Sequence, residues 1–245
     1  MRFLLILFIP LLSFSQQNKI TVEYDFYDNF RYKETIAILN CDNEEAIYKT
    51  FLERLNTGQK AESNSSNMIT IGGDRIDIYR LTDKKKNTLV SYDIRKNTIY
   101  QIVEEVPKMN WRIDYTETKK IANYNCNKAT VSFRGRDYTA WYSIKLPFTF
   151  GPWKFNGLPG LILEISDNTD TFKWSANKIK YPADTLLEVP YKKTKKVSLK
   201  ELIKIEEENM KIRRAKIMSL LPKDAIVTIP KNDRNDIELV YEWEK

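Results

Sequence analysis

From Ile20 the chain alternates apolar and polar positions, with Ile20, Val22, Tyr24 and Phe26 on one side and Thr21, Glu23 and Asp25 between them. Side chains on a strand point alternately to opposite faces, so a period of two predicts a strand with one buried face. The same period returns at Ile76 and Ile78, at Tyr100, Ile102 and Glu104, at Trp111, Ile113 and Tyr115, and at Ile237, Leu239, Tyr241 and Trp243. Turn formers at Gly72-Gly73, Lys96-Asn97 and Arg134-Gly135 separate such runs, which favours neighbouring strands joined directly. The expectation is a mainly β protein, one domain over 16–245, built on a single antiparallel, strongly curved sheet or half-barrel. The polar stretch Gln59 to Asn67 predicts a loop.

Two segments break the period. Asp42 to Gly58 offers a cap at Asp42, acids at Glu44 and Glu45, apolar residues Ile47, Phe51 and Leu55 spaced by four, and a glycine stop, which together predict a short helix. Ser198 to Leu221 carries the stronger helix pattern. Ser198 and Glu201 form a capping box, and Leu199, Leu202, Ile203, Met210, Ile217, Leu220 and Leu221 share a stripe before Pro222. This C-terminal amphipathic helix is expected to lie packed on the open face of the sheet, with docking to a partner as its alternative use.

Backbone geometry concentrates at residues 151 to 165, GPWKFNGLPGLILEI, where Gly151, Pro152, Gly157, Leu158, Pro159 and Gly160 precede the apolar run from Leu161 and Ile162. Pro159 presets φ and Gly160 offers the positive φ of a type II turn, so Leu158 to Leu161 should reverse sharply. Gly151-Pro152 makes an earlier turn that delivers Trp153 and Phe155. Leu161 to Ile165 is apolar almost throughout, as expected of a central strand buried on both faces.

Composition narrows the chemistry. The chain has 40 Lys and Arg, 33 Asp and Glu, and no histidine. Without imidazole there is no Ser-His-Asp or Cys-His pair and no histidine-containing zinc site, so no catalytic residue, metal site or cofactor is assigned. No P-loop, dinucleotide-binding glycine pattern, EF-hand or Gly-x-Ser-x-Gly elbow occurs. Glu104-Glu105, Asp114 with Glu117, and Glu206-Glu207-Glu208 are the carboxylate groupings for acid/base work, but solvated acids are the ordinary state of such pairs. The basic runs at Lys84-Lys85-Lys86 and Lys192 to Lys196 lack interleaved aromatics, so a nucleic-acid partner is not expected. Arg2, the apolar stretch Phe3 to Leu12 and the small-x-small site Ser13-Phe14-Ser15 have the order of a secretory signal peptide over 1–15. The expectation is a soluble periplasmic protein without a lipid anchor. In that compartment Cys41 and Cys126 have two readings, a disulfide contributing about 4 to 5 kcal/mol through a long closed loop, or two buried thiols.

The central residues resemble a known family. Gly157-Leu158-Pro159-Gly160-Leu161-Ile162 is the signature that gives the GLPGLI family of exported Bacteroidota proteins its name. Tyr124 to Ala129 around Cys126, Arg134-Gly135-Arg136 with Ala140-Trp141-Tyr142, and Gly151 to Phe155 also look like that family's pattern. The family carries no agreed activity, and its genes often lie beside those of outer-membrane TonB-dependent receptors, so the resemblance implies an envelope protein partner and leaves the catalytic question unanswered. Cys41 has no counterpart in that pattern.

Arg134 and Arg136, two apart on a hairpin, together with Lys154 are expected either to pinch an anionic group or to be ordinary solvated cations. Trp141, Tyr142 and Trp153 are the candidates for an exposed aromatic contact patch. Three functions are therefore carried forward: a non-catalytic periplasmic binding or accessory protein with an outer-membrane partner, a carrier of a lipid or other hydrophobic ligand in a half-barrel groove, and, last, a carboxylate hydrolase.

Overall fold

The computed structural model of the chain describes residues 19–29, 33–55, 62–63, 69–70, 73–95, 98–183, 187–220, 234 and 236–244. The signal segment 1–15, Gly72, the Lys96-Asn97 turn, Gly58, most of the loop 59–67, and Leu221 with Pro222 lie outside the described residues.

Strands dominate: β1 (Ile20–Asp28), β2 (Lys33–Cys41), β3 (Glu45–Leu55), β4 (Glu62–Ser63), β5 (Ile69–Thr70), β6 (Gly73–Asp83), β7 (Thr88–Arg95), β8 (Thr98–Glu105), β9 (Arg112–Ile121), β10 (Tyr124–Phe133), β11 (Arg136–Ser143), β12 (Leu161–Asp167), β13 (Phe172–Lys180) and β14 (Lys195–Ser198). Helix α1 (Leu199–Leu220) follows, and a single 3-10 turn covers Glu242–Glu244. Twelve strands form one sheet in the order β14-β8-β7-β6-β3-β2-β1-β13-β12-β11-β10-β9, while β4 and β5 pair separately. The sheet is open, not closed into a barrel. It is mixed where a purely antiparallel one was expected, because β14 runs parallel to β8.

The period of two does what the pattern requires. Ile20 faces Cys41, Val22 faces Leu39 and Tyr24 faces Ala37 across β1 and β2, all of them buried. Phe26 faces Trp174 on the other side of β1. Leu161, Ile162, Leu163 and Ile165 of β12 are fully buried, as a central strand covered on both faces should be.

The sheet curls tightly around this apolar face. Trp174 of β13 donates its indole N–H to the Tyr48 hydroxyl of β3 at 2.9 Å, although β1 and β2 lie between those strands. The concavity is filled by the connection from β11 to β12. Leu146, Phe148, Phe150, Trp153, Phe155 and Leu158 all point inward and are buried. Trp153 and Phe155 pack edge to face at 5.1 Å, and Phe155 meets Trp174 at 5.8 Å and Tyr138 at 4.8 Å. Tyr24 donates its hydroxyl to the Ile162 carbonyl at 2.6 Å, tying the start of β12, just after this plug, to β1.

Glycines in the plug are there mainly for room. A Cβ on Gly160 would sit 2.3 Å from the Ser143 carbonyl oxygen, and one on Gly151 would sit 2.7 Å from Ile162 Cδ1. The positive φ expected at Gly160 is found at Gly157 instead, at +93°, so the turn is not the type II turn of the sequence pattern. Trp153 also adopts a left-handed φ, of 58°, where Phe155 N–H closes a turn on the Pro152 carbonyl at 3.1 Å.

Three sequence expectations are corrected. The helix expected over Asp42 to Gly58 is strand β3. Ala46, Tyr48 and Thr50 are its buried positions, a period of two that tertiary pairing with β2 and β6 selects over the spacing of four. Asp42 does cap, but it caps a hairpin: its Oδ1 accepts the N–H groups of Glu44 and Glu45 at 2.8 Å. The strand expected at Ile237 to Trp243 is an irregular segment ending in the 3-10 turn, held by the N–H groups of Leu239 and Val240 on the Arg134 carbonyl. Helix α1 begins with the capping box, Ser198 and Glu201 bonding reciprocally, and is packed on the sheet. Its apolar packing is confined to the first turn, however, through Leu199, Leu202 and Ile203 against Ile102, Val197 and Tyr241. Ile212, Ile217 and Leu220 remain exposed because the helix runs off the β14 edge.

Cys41 of β2 and Cys126 of β10 are buried free thiols with four strands between them, so the disulfide reading gives way to its alternative. Burial pushes the Cys41 thiol far up, and that of Cys126 up to about 11. Two thiols should therefore appear on titration of the denatured, unreduced chain and almost none in the native state. A second prediction concerns the plug: Gly160→Ala lowers stability by about 3 kcal/mol and Tm by roughly 10 °C, because backbone must move. Gly157→Ala, strained in φ but with open space around it, costs about 1 to 2 kcal/mol. Thermal unfolding that ranks the two the other way would contradict the packing described.

Candidate functional site

Two constellations stand out, one ionic and one a cavity. The ionic one begins at the two-residue turn between β10 and β11, where Arg134 and Gly135 have φ of 44° and 86°, the signs of a type I′ hairpin. The turn throws the Arg134 side chain inward. Its Nη2 meets Glu104 Oε2 at 2.7 Å, its Nη1 donates to Glu238 Oε1, and its Nε meets Glu242 Oε1 at 3.0 Å. Lys154 from the plug bonds the same two buried acids, Glu104 Oε1 at 2.5 Å and Glu238 Oε1 at 2.9 Å. Glu104 sits in β8 and Arg134 beside β10, with eight strands between them, a separation of about 40 Å in a flat sheet. The ion cluster therefore fastens one end of the curled sheet to the other.

Burial works against the charges of Glu238, Glu242 and Arg134, and their partners outweigh it. The Glu238 carboxyl is held below its ordinary value because the attraction of Lys154 and Arg134 exceeds the penalty of burial. Glu242 is lowered as well, its burial penalty offset by the bond from Arg134. The Arg134 guanidinium is raised by Glu238 and Glu104 against the same penalty.

The residues expected to form an anion or partner contact are thus brought together in part, but facing inward. Arg134 and Lys154 are buried on internal carboxylates. Arg136 points elsewhere, its Nη1 to the buried Asp167 and its Nη2 to the Asp236 carbonyl, both at 2.9 Å. Tyr142 and Trp153 are core residues, and Trp141 is half-buried beneath Lys119. The acid pairs scatter: Glu105 is exposed while Glu104 is clasped, Asp114 holds Thr116, Glu117 holds Lys128, and Glu206 and Glu207 bind Arg95 and Arg234.

The cavity was not legible as a site. It measures about 130 Å³ and lies on the concave side of β1, β3, β6, β7 and β13. Its apolar floor is Trp174, Tyr48, Phe172 and Ile78, with Phe26 stacked on Trp174 at 4.6 Å and Trp153 closing one wall. Asp28, Thr50, Arg80 and Asp93 bring polar groups into that lining, and Arg95 and Asp236 stand at the more exposed rim. Arg95 bridges Asp93 Oδ2 at 2.9 Å and Glu206 of α1 at 2.5 Å. Arg80 Nε and Asp93 Oδ1 are shielded from solvent and have no hydrogen-bond partner. Such groups are uncommon in folded proteins because each forfeits its bond to water. The available signal was charge at inward positions of the alternation: Asp28 two after Phe26, Arg80 two after Ile78, and Asp93 and Arg95 two apart. A larger groove of about 570 Å³ lies over Thr130, Ser132, Asp137 and Thr139, where Ser132 already bonds Asp137 and most of the lining residues are polar.

Comparison with known proteins adds the fold and little chemistry. A family described as a protein of unknown function (Porph_ging) matches residues 133–164, the stretch from the end of β10 through the plug into β12. No curated protein matches the chain. Among solved structures the chain is similar to PNGF-II in two crystal forms, with TM-scores of 0.54 and 0.52 at 15% and 16% identity. The likeness covers 76% and 74% of this chain but only 32% and 31% of those proteins, so the chain corresponds to about a third of their length. At that identity the likeness is one of fold. No described helix is long and apolar enough to cross a membrane.

The clasp sets a pH dependence. Glu238 and Glu242 bind protons more weakly folded than unfolded, so their contribution is complete above the ordinary value of 4.5 and is lost as pH falls through their lowered values. Tm should therefore be level near neutrality and fall below about pH 4.5, and Glu238→Gln should lower Tm at pH 7 while flattening the acid limb. An unchanged acid limb in that variant would remove Glu238 from the clasp.

Proposed function

We propose that this chain is an exported, non-catalytic binding protein of the cell envelope, acting with an outer-membrane partner of the TonB-dependent receptor type, and that the cavity beside Trp174 is where it engages its ligand. The observation that carries this reading is the cavity itself, an apolar floor of Trp174, Tyr48, Phe172 and Ile78 bordered by the polar residues Asp28, Thr50, Arg80 and Asp93 and opening at Arg95 and Asp236. A cavity of about 130 Å³ takes one ring or side chain, which suits an anchoring contact better than a complete large ligand. The signal-like segment and the resemblance at Gly157 to Ile162 support the compartment and the kind of partner.

The carrier alternative draws on the curved sheet, but its groove is occupied by the plug from Leu146 to Leu158, which leaves an acyl chain no comparable space among the described residues. A hydrolase reading has less support, since Glu104 and Glu238, a buried acid pair, are each neutralised by Arg134 and Lys154.

The experiment is photo-crosslinking in intact source cells, with a photoreactive residue at Asp236 on the rim and, as control, at the exposed Tyr115 of β9. Specific adducts at position 236 and none at 115 are expected, identified by mass spectrometry as protein or small molecule. Equal labelling at both positions, or none at 236, overturns the assignment of the cavity.

A further inference from the structure

Helix α1 changes character along its axis. Up to Glu208 its acids are Glu201, Glu206, Glu207 and Glu208, of which Glu201 serves the capping box, Glu206 binds Arg95 and Glu207 binds Arg234. From Asn209 to Leu220 it carries Lys211, Arg213, Arg214 and Lys216 and no acid. Its last turn is apolar, with Ile217, Met218 and Leu220 being 52%, 48% and 76% exposed. Independently of the cavity, we propose that this C-terminal half of α1 docks the protein on an anionic lipid bilayer. The apolar turn enters the interface and the cations behind it rest on lipid phosphates.

This half of the helix stands clear of the sheet. Every residue from Asn209 to Leu220 except Met210 and Arg214 is exposed. At a rise of about 1.5 Å per residue, the helix extends roughly 20 Å past its last tether at Glu207. Among the described residues Lys211, Arg213 and Lys216 make no ion pair, so their charge is available to a partner.

The distribution around the axis selects the partner. Successive helical residues turn by about 100°, which places the four cations on all sides of the shaft and Ile217, Met218 and Leu220 on three sides of the last turn. A protein groove would engage a single stripe of the helix. A bilayer is layered instead, with anionic charge in a plane and apolar material beneath it. An apolar tip with cations one turn behind follows that order in depth, since a turn is about 5.4 Å and the headgroup zone on each side of a bilayer is about 5 to 8 Å thick. Lysine and arginine side chains can bury their stems there while their charged heads stay at the phosphates. The same half of a second copy would set like charges against each other, whereas phosphate-bearing lipid supplies the opposite charge.

Vesicle sedimentation reads the contact. The exported chain is mixed with vesicles of phosphatidylcholine alone, and of phosphatidylcholine with an equal part of phosphatidylglycerol. The expected result is saturable binding to the anionic vesicles, little to the neutral ones, and weakening as salt rises. Lys211→Gln with Lys216→Gln should lower the affinity about tenfold or more, and so should Ile217→Ser with Leu220→Ser. Lys108→Gln with Lys120→Gln, which removes the same charge from exposed sites elsewhere, should leave it unchanged. All three variants alter exposed residues and keep Tm within a few degrees of the parent chain. An environment-sensitive dye on Ser219→Cys, selective because the native thiols are buried, should shift to the blue on anionic vesicles. No binding to those vesicles, equal binding to neutral ones, full affinity in either α1 variant, an equal loss in the control or an unshifted dye overturns the proposal. A photoreactive residue at Met218 that captures protein and no lipid in intact cells overturns it as well, assigning the tip to a protein partner.

Discussion

Two buried cations shared among three carboxylates hold the two ends of an open sheet together, and the rest of the molecule depends on that closure. Without it, β8 and the β10–β11 hairpin would lie far apart along a twelve-strand ribbon with one apolar face uncovered. Arg134 and Lys154 suit the task differently. The guanidinium spans Glu104, Glu238 and Glu242 with separate nitrogens, and the ammonium supplies a compact charge between the first two acids. Placing so many charges out of water brings little net stability, yet removing one partner strands the others at a cost of about 3 to 5 kcal/mol. Such a cluster selects one curvature and register over alternatives that hydrophobic burial alone would leave close in energy.

The plug is the hydrophobic half of the same solution. A curled sheet with this many inward aromatics needs a centre, and the segment from Leu146 to Leu158 provides it with residues that reach β10, β11 and β13. Close approach of backbone to backbone at Gly160, and of backbone to Ile162 at Gly151, lets the chain pass where any side chain would clash. Clasp and plug are also joined covalently, because Lys154 stands between Trp153 and Phe155: aromatic neighbours fill the core while the lysine reaches the acids. The cavity is the space this packing leaves beneath Trp153, and its polar lining comes from strand positions that would otherwise be apolar.

Much of the fold was legible. β1, the middle of β8, the start of β9 and β12 were marked by alternation or by a continuous apolar run, and the helix start by Ser198 and Glu201. Asp42 to Gly58 misled because residues spaced by four, with a capping aspartate, satisfy a helix locally, and only pairing with β2 and β6 decides for strand. The far half of α1 misled in the other direction, since a stripe of apolar residues does not say how far the surface beneath it extends. Arg134, Arg136 and Lys154 were recognised as a group, but the first and last are oriented by Glu104, Glu238 and Glu242 and Arg136 by Asp167 and Asp236, all distant in the chain.

The sequence by itself determined the class of protein: period-two alternation requires strands with one buried face, an absent histidine removes imidazole chemistry, and glycines between bulky residues at 151 to 160 demand tight backbone passage. Which strands neighbour one another, whether cations point out or in, and where a cavity remains were decided only by the tertiary structure. The reason is one of range. Local pattern constrains each residue's face and backbone, whereas charge pairing between Glu104, Arg134 and Glu238, and the grouping of Phe26, Tyr48, Arg80, Asp93 and Trp174, join residues whose spacing along the chain carries no signal until the sheet curls.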